Sequence, residues 1–199
     1  MISIIMPTMW KPQHYKRMLP MLNEHPLIGE IIIIDNDTSK TDHEVLRLDK
    51  VIHLSQEKNI YVNPAWNLGV QTSKYDKICL MNDDILFATS CLENVNNFLS
   101  PKVGIVGFAF ESVILTNKEF VGENIVDDIL SFPFIDEGYS NEIAPISSGW
   151  TIENGVTVEH EQFFHRAYGI CMFMHKENYS VIPEKYKIFF GDNHLIDTN

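Results

Sequence analysis

The sequence predicts an α/β domain built on an open, mostly parallel β-sheet. Short apolar runs alternate with segments of helical spacing over residues 1–110, and residues 31–34 are four consecutive isoleucines. Continuous β-branched runs are typical of strands that are buried on both faces, as in parallel sheets. The alternation of strand and helix indicates right-handed βαβ units, in which helices flank the sheet. A chain of 199 residues is expected to form one such domain.

The individual elements follow from the apolar spacing and from the residues that interrupt it. The predicted strands are residues 2–6, 31–34, 51–54, 78–81, 103–108 and 170–174. The predicted helices are residues 11–22, 64–72 and 89–99, the second with Pro64 in its first turn and the third ending before Pro101. Residues 107–145 hold several acids and glycines and are predicted to form a hairpin or a long loop, after which the chain returns to strand and short helix.

The net charge of the chain limits the kinds of molecule that it is expected to bind. The chain carries 15 Lys+Arg against 27 Asp+Glu, for a formal net charge of −12. That balance argues against nucleic acid as the main partner, because such binding depends on clustered cations. A phosphate-bearing ligand would need a local positive charge, which a divalent cation held by carboxylates can supply.

Three features of the sequence indicate a cytoplasmic protein. Cys79, Cys91 and Cys171 form no CxxC motif, which favours a reducing compartment. Residues 1–8 are apolar but lack the charged start and the cleavage site of a signal peptide. No apolar run approaches the ~18 residues that a transmembrane helix needs.

Two polar clusters follow predicted strands, at the edge where ligands bind in open α/β sheets. They are Asn82-Asp83-Asp84 and Asp35-Asn36-Asp37. Carboxylates of the first cluster can share Mg²⁺ or Mn²⁺ with a substrate diphosphate, or they can cap a turn and the helix after it. Carboxylates of the second cluster can accept hydrogen bonds from a base or a ribose, or they can form a strand-to-helix turn.

A third polar cluster lies near the C-terminus, after the aromatic pair Phe189-Phe190. Asp192 in this cluster is a candidate general base for an acceptor hydroxyl, or part of a simple turn. His194 is either a metal ligand or an ordinary surface or core residue. Other aromatic residues either stack on bases and sugars or fill the core: Trp10, Tyr61 and Trp66. The sequence contains no GxGxxG, GxxxxGK[ST] or GxSxG motif.

Taken in order along the chain, these segments resemble those of GT-A glycosyltransferases, most closely family 2. The matching segments are SIIMPT at 3–8, EIIIIDNDT at 30–38, the N-x-G-x-x-x-A-x-N-x-G-like residues 59–69, DKICLMNDDIL at 76–86 around the DXD site, YGICMF at 168–173 and FFGD at 189–192. The resemblance covers most of residues 1–110 and the C-terminal segment. Its specificity comes from the order and spacing of the motifs together.

The resemblance implies a GT-A fold, which is a Rossmann-like open mixed sheet, mostly parallel and flanked by helices, spanning residues 1–199 as a single domain. Residues 1–110 would form the nucleotide-sugar-binding half and residues 111–199 the acceptor-side half. The implied activity is an inverting, metal-dependent transfer of a sugar from a nucleotide-diphosphate donor, with UDP favoured, to a hydroxyl of a glycan or glycoconjugate. The implied cofactor is Mn²⁺ or Mg²⁺. The implied donor-binding residues are Pro7, Thr8, Asp35, Asn36, Asn67, Asn82 and Asp83, the metal ligands Asp84 and Asn82, and the base Asp192.

The chain departs from the family pattern in several places. Asn82 replaces the first carboxylate of the DXD site, and Trp66 stands where a basic residue often precedes the asparagine. Gly191-Asp192-Asn193 replaces Glu-Asp, so that the base is one of the acids of residues 192–197. The chain ends seven residues after Asp192, which predicts either a minimal enzyme or one domain of a longer polypeptide.

The sequence is also compatible with two other functions. Residues 35–39 fit the hhhhDxDx[ST] motif of haloacid-dehalogenase-type phosphatases, with Asp35 as nucleophile, Asp37 as acid/base and Mg²⁺ as partner. That interpretation leaves residues 59–69 and 82–84 unexplained. The other alternative is a catalytically inactive nucleotide-sugar-binding module, which Asn82 and the short C-terminus both allow.

Overall fold

The computed structural model describes residues 1–12, 14–39, 43–85, 87, 89, 92–107, 150–153, 156–159 and 171–198. The strands are β1 (Ile2–Thr8), β2 (Ile28–Asp35), β3 (Val51–Ser55), β4 (Lys77–Met81), β5 (Val106–Gly107), β6 (Trp150–Glu153), β7 (Val156–Glu159) and β8 (Cys171–His175). The α-helices are α1 (Tyr15–Glu24), α2 (Val62–Thr72), α3 (Leu92–Phe98) and α4 (Gly191–Thr198), and short 3₁₀ helices span Glu44–Arg47 and Lys176–Asn178.

The main sheet has the strand order β3-β2-β1-β4-β8-β5. Strands β1 to β4 pair in parallel, while β8 pairs antiparallel with both β4 and β5. Strand β5 therefore runs in the same direction as β1 to β4, and β8 alone is reversed among the strands of this sheet. The open, mostly parallel sheet predicted from the sequence is confirmed. A separate antiparallel hairpin joins β6 to β7.

The central strands form because their residues are apolar on both sides. All seven residues of β1 are buried, and the isoleucine run of β2 is fully buried as well. The register pairs Thr8 with Asp35 and Asp35 with Ser55, so that β1, β2 and β3 end in line. Because parallel strands share one carboxyl edge, the polar residues that follow them gather there.

Two apolar clusters cover the two faces of the sheet. On one face, Met6 belongs to a cluster with Met18 of α1. On the other face, Ile5 belongs to a cluster with Ala65 of α2. The second helix lies very close to β1, since a Cβ on Gly69 would be 2.2 Å from the Ile5 side chain. The side-chain alternation of β1 thus directs successive residues to opposite helices.

Several predicted boundaries differ from the structure. Helix α1 begins at Tyr15 rather than at residue 11. Pro12 disfavours helical geometry at Lys11, the residue before it. Strand β5 covers only two residues of the predicted strand 103–108. Residues 191–198 form helix α4, where the sequence predicted a turn as the alternative to a catalytic site. The predicted hairpin or loop at 107–145 lies almost wholly outside the described residues.

Within the described part of the chain, no helix combines the length and the apolar character that crossing a membrane requires.

Candidate active site

The carboxyl ends of β1 and β4 are joined by a side-chain hydrogen bond. Thr8 Oγ1, at the last residue of β1, donates to Asp83 Oδ2 at 2.6 Å. The same hydroxyl oxygen accepts from the backbone N–H of Trp10 at 2.8 Å. The Thr8 hydroxyl therefore connects the loop after β1 to the loop after β4, across 75 residues of sequence. Pro7 lies beside this contact in β1, paired in register with Ile34.

Asp35, the last residue of β2, is fully buried and strongly held. Its Oδ1 accepts from the Trp10 indole N–H at 2.8 Å and from the Asp37 backbone N–H at 3.0 Å. Its Oδ2 lies 3.0 Å from His53 Nε2 of β3. These bonds satisfy the buried carboxylate, which would otherwise be costly to desolvate. A nucleoside that contacts Asp35 would have to share or exchange one of them.

Trp10 is held in an unusual backbone conformation next to Asp35. Its φ is 57°, in the left-handed region, which costs a bulky residue about 1–2 kcal/mol. Its ring stacks on His43 at 3.8 Å between centroids and meets Tyr15 edge-on at 5.1 Å. The Tyr15 hydroxyl lies 3.2 Å from His43 Nδ1. Trp10 is buried, so in this structure it fills the core beneath the sheet edge.

Asn36 links the loop after β2 to the loop before α2. Its backbone N–H donates to the Thr8 carbonyl at 2.9 Å, and its side-chain oxygen accepts from the Ile60 N–H at 3.0 Å. Asn36 is buried. The start of α2 is thereby tied to the same edge of the sheet as Thr8 and Asp35.

The Asn82-Asp83-Asp84 turn follows β4 and presents its residues at different depths. Asp83 is partly buried, Asn82 is partly exposed and Asp84 is exposed. Burial raises the pKa of Asp83, and the charge of Asp84 raises it further, while hydrogen bonds from Thr8 and the Met9 N–H oppose both. Asp83 is therefore anchored to β1, and Asp84 is the solvent-facing acid of the turn.

Asp84 and Asn82 can supply oxygen ligands to a metal ion. Within the described residues, no three His, Cys, Asp or Glu side chains gather as a complete metal site. Mg²⁺ and Mn²⁺ accept oxygen donors, and Mg²⁺ is often held by one or two carboxylates together with substrate phosphates. The donor set of this turn fits such a shared site, in which a bound diphosphate would complete the coordination.

Asn67 has an arrangement different from that of the other predicted donor-binding residues. Its Nδ2 donates to the Ile182 carbonyl at 2.9 Å, and its Oδ1 accepts from the Tyr179 hydroxyl at 2.6 Å and the Ile182 N–H at 3.0 Å. Burial raises the pKa of the Tyr179 hydroxyl. Asn67 therefore joins α2 to the C-terminal segment, and its contact with a donor stays a prediction.

Asp192 is the second residue of α4 and is partly exposed. The loop before it is fastened to the start of α2, where the Asn63 N–H donates to the Lys187 carbonyl at 3.1 Å and Asn63 Nδ2 to the Phe189 carbonyl at 3.3 Å. A Cβ on Gly191 would lie 2.1 Å from Asn63 Oδ1, so only glycine fits there. Asp192 is thus anchored through the start of α2, and Asn36 links the loop before this helix to the carboxyl edge of the sheet.

Comparison with known families identifies the chain. Residues 3–145 match the model of Glycosyl transferase family 2. The chain belongs to this family. The open α/β sheet with its one reversed strand is the GT-A class of fold predicted from the sequence. The matched range ends before α4, so the role of Asp192 stays a prediction.

Solved structures that resemble this family 2 chain do so at low identity. S. aureus TarS 1-349 is 16% identical, with a TM-score of 0.42, over 49% of this chain and 31% of that one. The mannosyltransferase PcManGT from Pyrobaculum calidifontis, in complex with GDP-Man and Mn²⁺, is 17% identical, with a TM-score of 0.43, over 53% of this chain and 34% of that one. The chain thus spans about a third of the length of these proteins. No curated protein matches the sequence.

The family assignment and the geometry together overturn the phosphatase alternative. A phosphatase nucleophile must reach a phosphorus atom, whereas Asp35 is fully buried and both of its oxygens accept hydrogen bonds. Asp35 also lies on a strand of a family 2 domain. In this structure Asp35 is a buried, hydrogen-bonded carboxylate at the sheet edge.

Several residues around the edge were not predicted from the sequence. His53 contacts Asp35, His43 stacks on Trp10, and Asn63 fastens the loop before Asp192. A histidine within the otherwise apolar strand 51–54 was the one local signal that could have pointed to His53. The other two contacts join residues distant in sequence, and no local pattern reports them.

The raised pKa of Asp83 predicts a pH-dependent gain in stability for the Asp83→Asn variant. A folded-state pKa above the unfolded value means that the protonated form stabilises the fold below the unfolded pKa, and that this contribution is lost as pH rises through the folded pKa. Asparagine keeps an acceptor for Thr8 without the charge. The variant should therefore gain melting temperature relative to wild type as pH increases from 4 to 8.

Thermal melts across that pH range, with Asp76→Asn as the control, test the expectation. Asp76 is an exposed acid just before β4, so its replacement makes the same charge change at the opposite end of the strand. A difference in melting temperature that stays constant with pH for Asp83→Asn would show that Asp83 does not titrate abnormally.

Proposed function

We propose that this chain carries the catalytic domain of an inverting glycosyltransferase, which moves a sugar from a nucleotide-diphosphate donor, with UDP favoured, to an acceptor hydroxyl of a glycan or glycoconjugate. The observation that supports the proposal most is the Thr8–Asp83 hydrogen bond at 2.6 Å. It brings the polar turn after β4 against the end of β1, beside Asp35, in a chain of Glycosyl transferase family 2.

On the donor side, the buried and the more exposed residues would have different roles. The buried Asp35 and Asn36 shape the edge on which the nucleoside would lie. Asp83, anchored to Thr8, would hold the turn so that Asn82 and Asp84 face the diphosphate. With a donor bound, Asp84 and Asn82 would hold Mn²⁺ or Mg²⁺. The ion would supply the positive charge that stabilises the departing diphosphate, in a chain whose own net charge is −12.

On the acceptor side, Asp192 would accept the proton of the attacking hydroxyl. A single displacement at the anomeric carbon forms the new C–O bond as the bond to the diphosphate breaks, which inverts the configuration. The position of Asp192 supports this role, because the loop before it is fastened to the first turn of α2, and Asn36 ties the loop before α2 to the donor edge. In this mechanism Asp192 accepts only the proton and forms no covalent bond with the sugar.

A catalytically inactive nucleotide-sugar-binding module is the second candidate. Asn82 supports it, since an amide replaces one of the two carboxylates of the DXD site. The two candidates share the donor site and differ only in turnover. Release of UDP from a UDP-sugar therefore separates them, whereas UDP binding alone tests the site that both require.

Calorimetric titration of UDP, first with Mn²⁺ and then with EDTA, tests the donor site. Wild type is expected to bind UDP with Mn²⁺ and to lose at least about tenfold in affinity with EDTA, which is ~1.4 kcal/mol. The Asp84→Ala variant is expected to show the same loss with Mn²⁺ present, because the exposed carboxylate that would hold the metal is gone. GDP and dTDP serve as alternative nucleotides in the same titration.

The matched control is Asp76→Ala, an exposed acid at the other end of β4. It removes the same charge away from the carboxyl edge and should bind UDP like wild type. Equal affinities for Asp84→Ala and wild type would remove Asp84 from the site. Wild type that binds none of the three nucleotides would overturn the proposal as a whole.

A further inference from the structure

The segment before α4 exposes three large apolar side chains in a row. Ile188 is 49% exposed, Phe189 73% and Phe190 62%. Among the described residues, only Met1 and Val181 are other large hydrophobic residues with comparable exposure. We call residues 188–190 the aromatic ridge. Contiguous exposed apolar side chains of this kind mark binding surfaces more often than isolated ones do.

The backbone of the aromatic ridge is fixed even though its side chains are exposed. Asn63 binds the backbone on both sides of Ile188, through the carbonyls of Lys187 and Phe189. Gly191 packs directly against Asn63. Phe190 has φ 66°, in the left-handed region that bulky residues rarely adopt. The rings are therefore held outward by a strained and tightly fastened loop, and such strain is concentrated at ligand-binding sites.

Other aromatic residues lie around the ridge and around Asp192. The Tyr186 ring is 6.2 Å from the Phe190 ring and 6.5 Å from the His194 ring. Phe189 has no ring partner within the described part of the chain. The exposed Phe189 ring lies three residues from the proposed base in the sequence.

We propose that the aromatic ridge binds a sugar ring of the acceptor, which stacks on Phe189 and Phe190 and so presents a hydroxyl to Asp192. This inference rests on the proposed function, since it assigns an acceptor site to the same reaction. The C–H face of a pyranose is apolar and packs on an aromatic ring, while its hydroxyls stay hydrogen-bonded at the edge. For proton transfer, the hydroxyl of the bound acceptor would have to lie within hydrogen-bond reach of the Asp192 carboxylate.

Charge and geometry favour a saccharide over a membrane surface. Residues 184–197 contain two lysines, Lys185 and Lys187, and three acids, Glu184, Asp192 and Asp197, in a chain of net charge −12. An anionic lipid surface is recognised by an excess of basic residues, which this segment lacks. Insertion into lipid also needs no fixed ring orientation, whereas stacking on a sugar does.

The experiment compares four proteins: wild type, Phe189→Ala, Phe189→Trp and Val181→Ala. The probes are free di- to tetrasaccharides that end in glucose, galactose, mannose or N-acetylglucosamine, added to protein that holds UDP and the diamagnetic ion Mg²⁺, with binding followed by ligand-observed NMR. Val181 is the matched control, because it is also 73% exposed and apolar but lies outside the ridge. UDP affinity is measured for each protein as a separate readout of the donor site.

Wild type is expected to bind at least one saccharide class. Phe189→Ala should weaken that binding by about fivefold to tenfold, Phe189→Trp should keep it within about threefold, and Val181→Ala should leave it unchanged. UDP affinity should be equal in all four proteins.

Each contrary result has a definite meaning. UDP binding without any saccharide binding, or saccharide binding that Phe189→Ala does not change, overturns the inference and leaves the proposed function intact. Phe189-dependent binding only to phosphatidylcholine–phosphatidylglycerol vesicles, or a change only in oligomeric state, assigns the ridge to a membrane or to a second copy and overturns it as well. Loss of both UDP and saccharide binding in wild type overturns the inference together with the proposed function.

Discussion

Replacing Asp192 with asparagine is expected to lower turnover by about 10²- to 10⁴-fold while UDP affinity stays close to that of wild type. A general base acts on the acceptor proton in the transition state, so its removal affects kcat and kcat/KM far more than ground-state binding. Asparagine has nearly the same shape and remains compatible with the first turn of α4. The lost interaction of the carboxylate with the helix N-terminus is worth about 0.3–1 kcal/mol, too little to unfold the domain.

The matched variant is Asp197→Asn, which removes the other acid of α4. Asp197 is exposed near the end of the helix, whereas Asp192 is partly buried in the first turn beside the anchored loop. Sequence alone left both acids as candidates, and the anchoring by Asn63 favours Asp192. Turnover by release of UDP from a UDP-sugar, with a circular dichroism melt of each variant, decides between them. Full activity in Asp192→Asn with a large loss in Asp197→Asn would move the base to Asp197.

The sheet could be predicted because each strand is recognisable from the apolar pattern of its own residues. The isoleucines of β2 are buried on both faces, as a continuous β-branched run requires, and the polar residues after β2 and β4 lie at the carboxyl edge as predicted. The position of β8 between β4 and β5 was not predictable in the same way. It depends on pairing over long separations, such as that which brings Cys79 and Cys171 to 3.8 Å between their sulfur atoms, 92 residues apart. Apolar spacing indicates which residues are buried, but not which strands pair with each other.

The sequence predicted which loops form the candidate site, but not which hydrogen bonds their side chains make. Resemblance to the family pointed to Asn67 as a donor-binding residue, whereas its side chain contacts Tyr179 and Ile182, more than 100 residues away. Asp35 was predicted at the sheet edge, but its partners Trp10 and His53 lie on two other elements. Which polar atoms are satisfied within the protein depends on tertiary packing, so sequence can place a carboxylate without showing what holds it.

Replacing Asp35 with alanine is expected to lower the free energy of unfolding by about 3 kcal/mol. The change leaves the buried indole N–H of Trp10 without its acceptor and removes the partner of His53. Breaking a buried polar contact in this way costs about 3–5 kcal/mol for a charged pair and less where one partner is partly exposed, as His53 is. Urea denaturation measures the change. Asp37→Ala removes the same charge two residues later at a more exposed position, and it should cost about 1 kcal/mol or less.

The Trp10→Phe variant separates the structural role of Asp35 from a role in donor binding. Phenylalanine keeps an aromatic ring against His43 and Tyr15 but removes the N–H that binds Asp35 Oδ1, so stability should fall by about 1.5 kcal/mol and the protein should stay folded. If the Asp35 carboxylate contacts the nucleoside, the released oxygen changes UDP affinity in this folded protein. Because Trp10 and Asp35 touch, their effects on stability should couple by at least about 0.5 kcal/mol in the double variant. Strictly additive losses, with unchanged UDP affinity, would show that the indole bond neither stabilises Asp35 nor competes with a ligand for it.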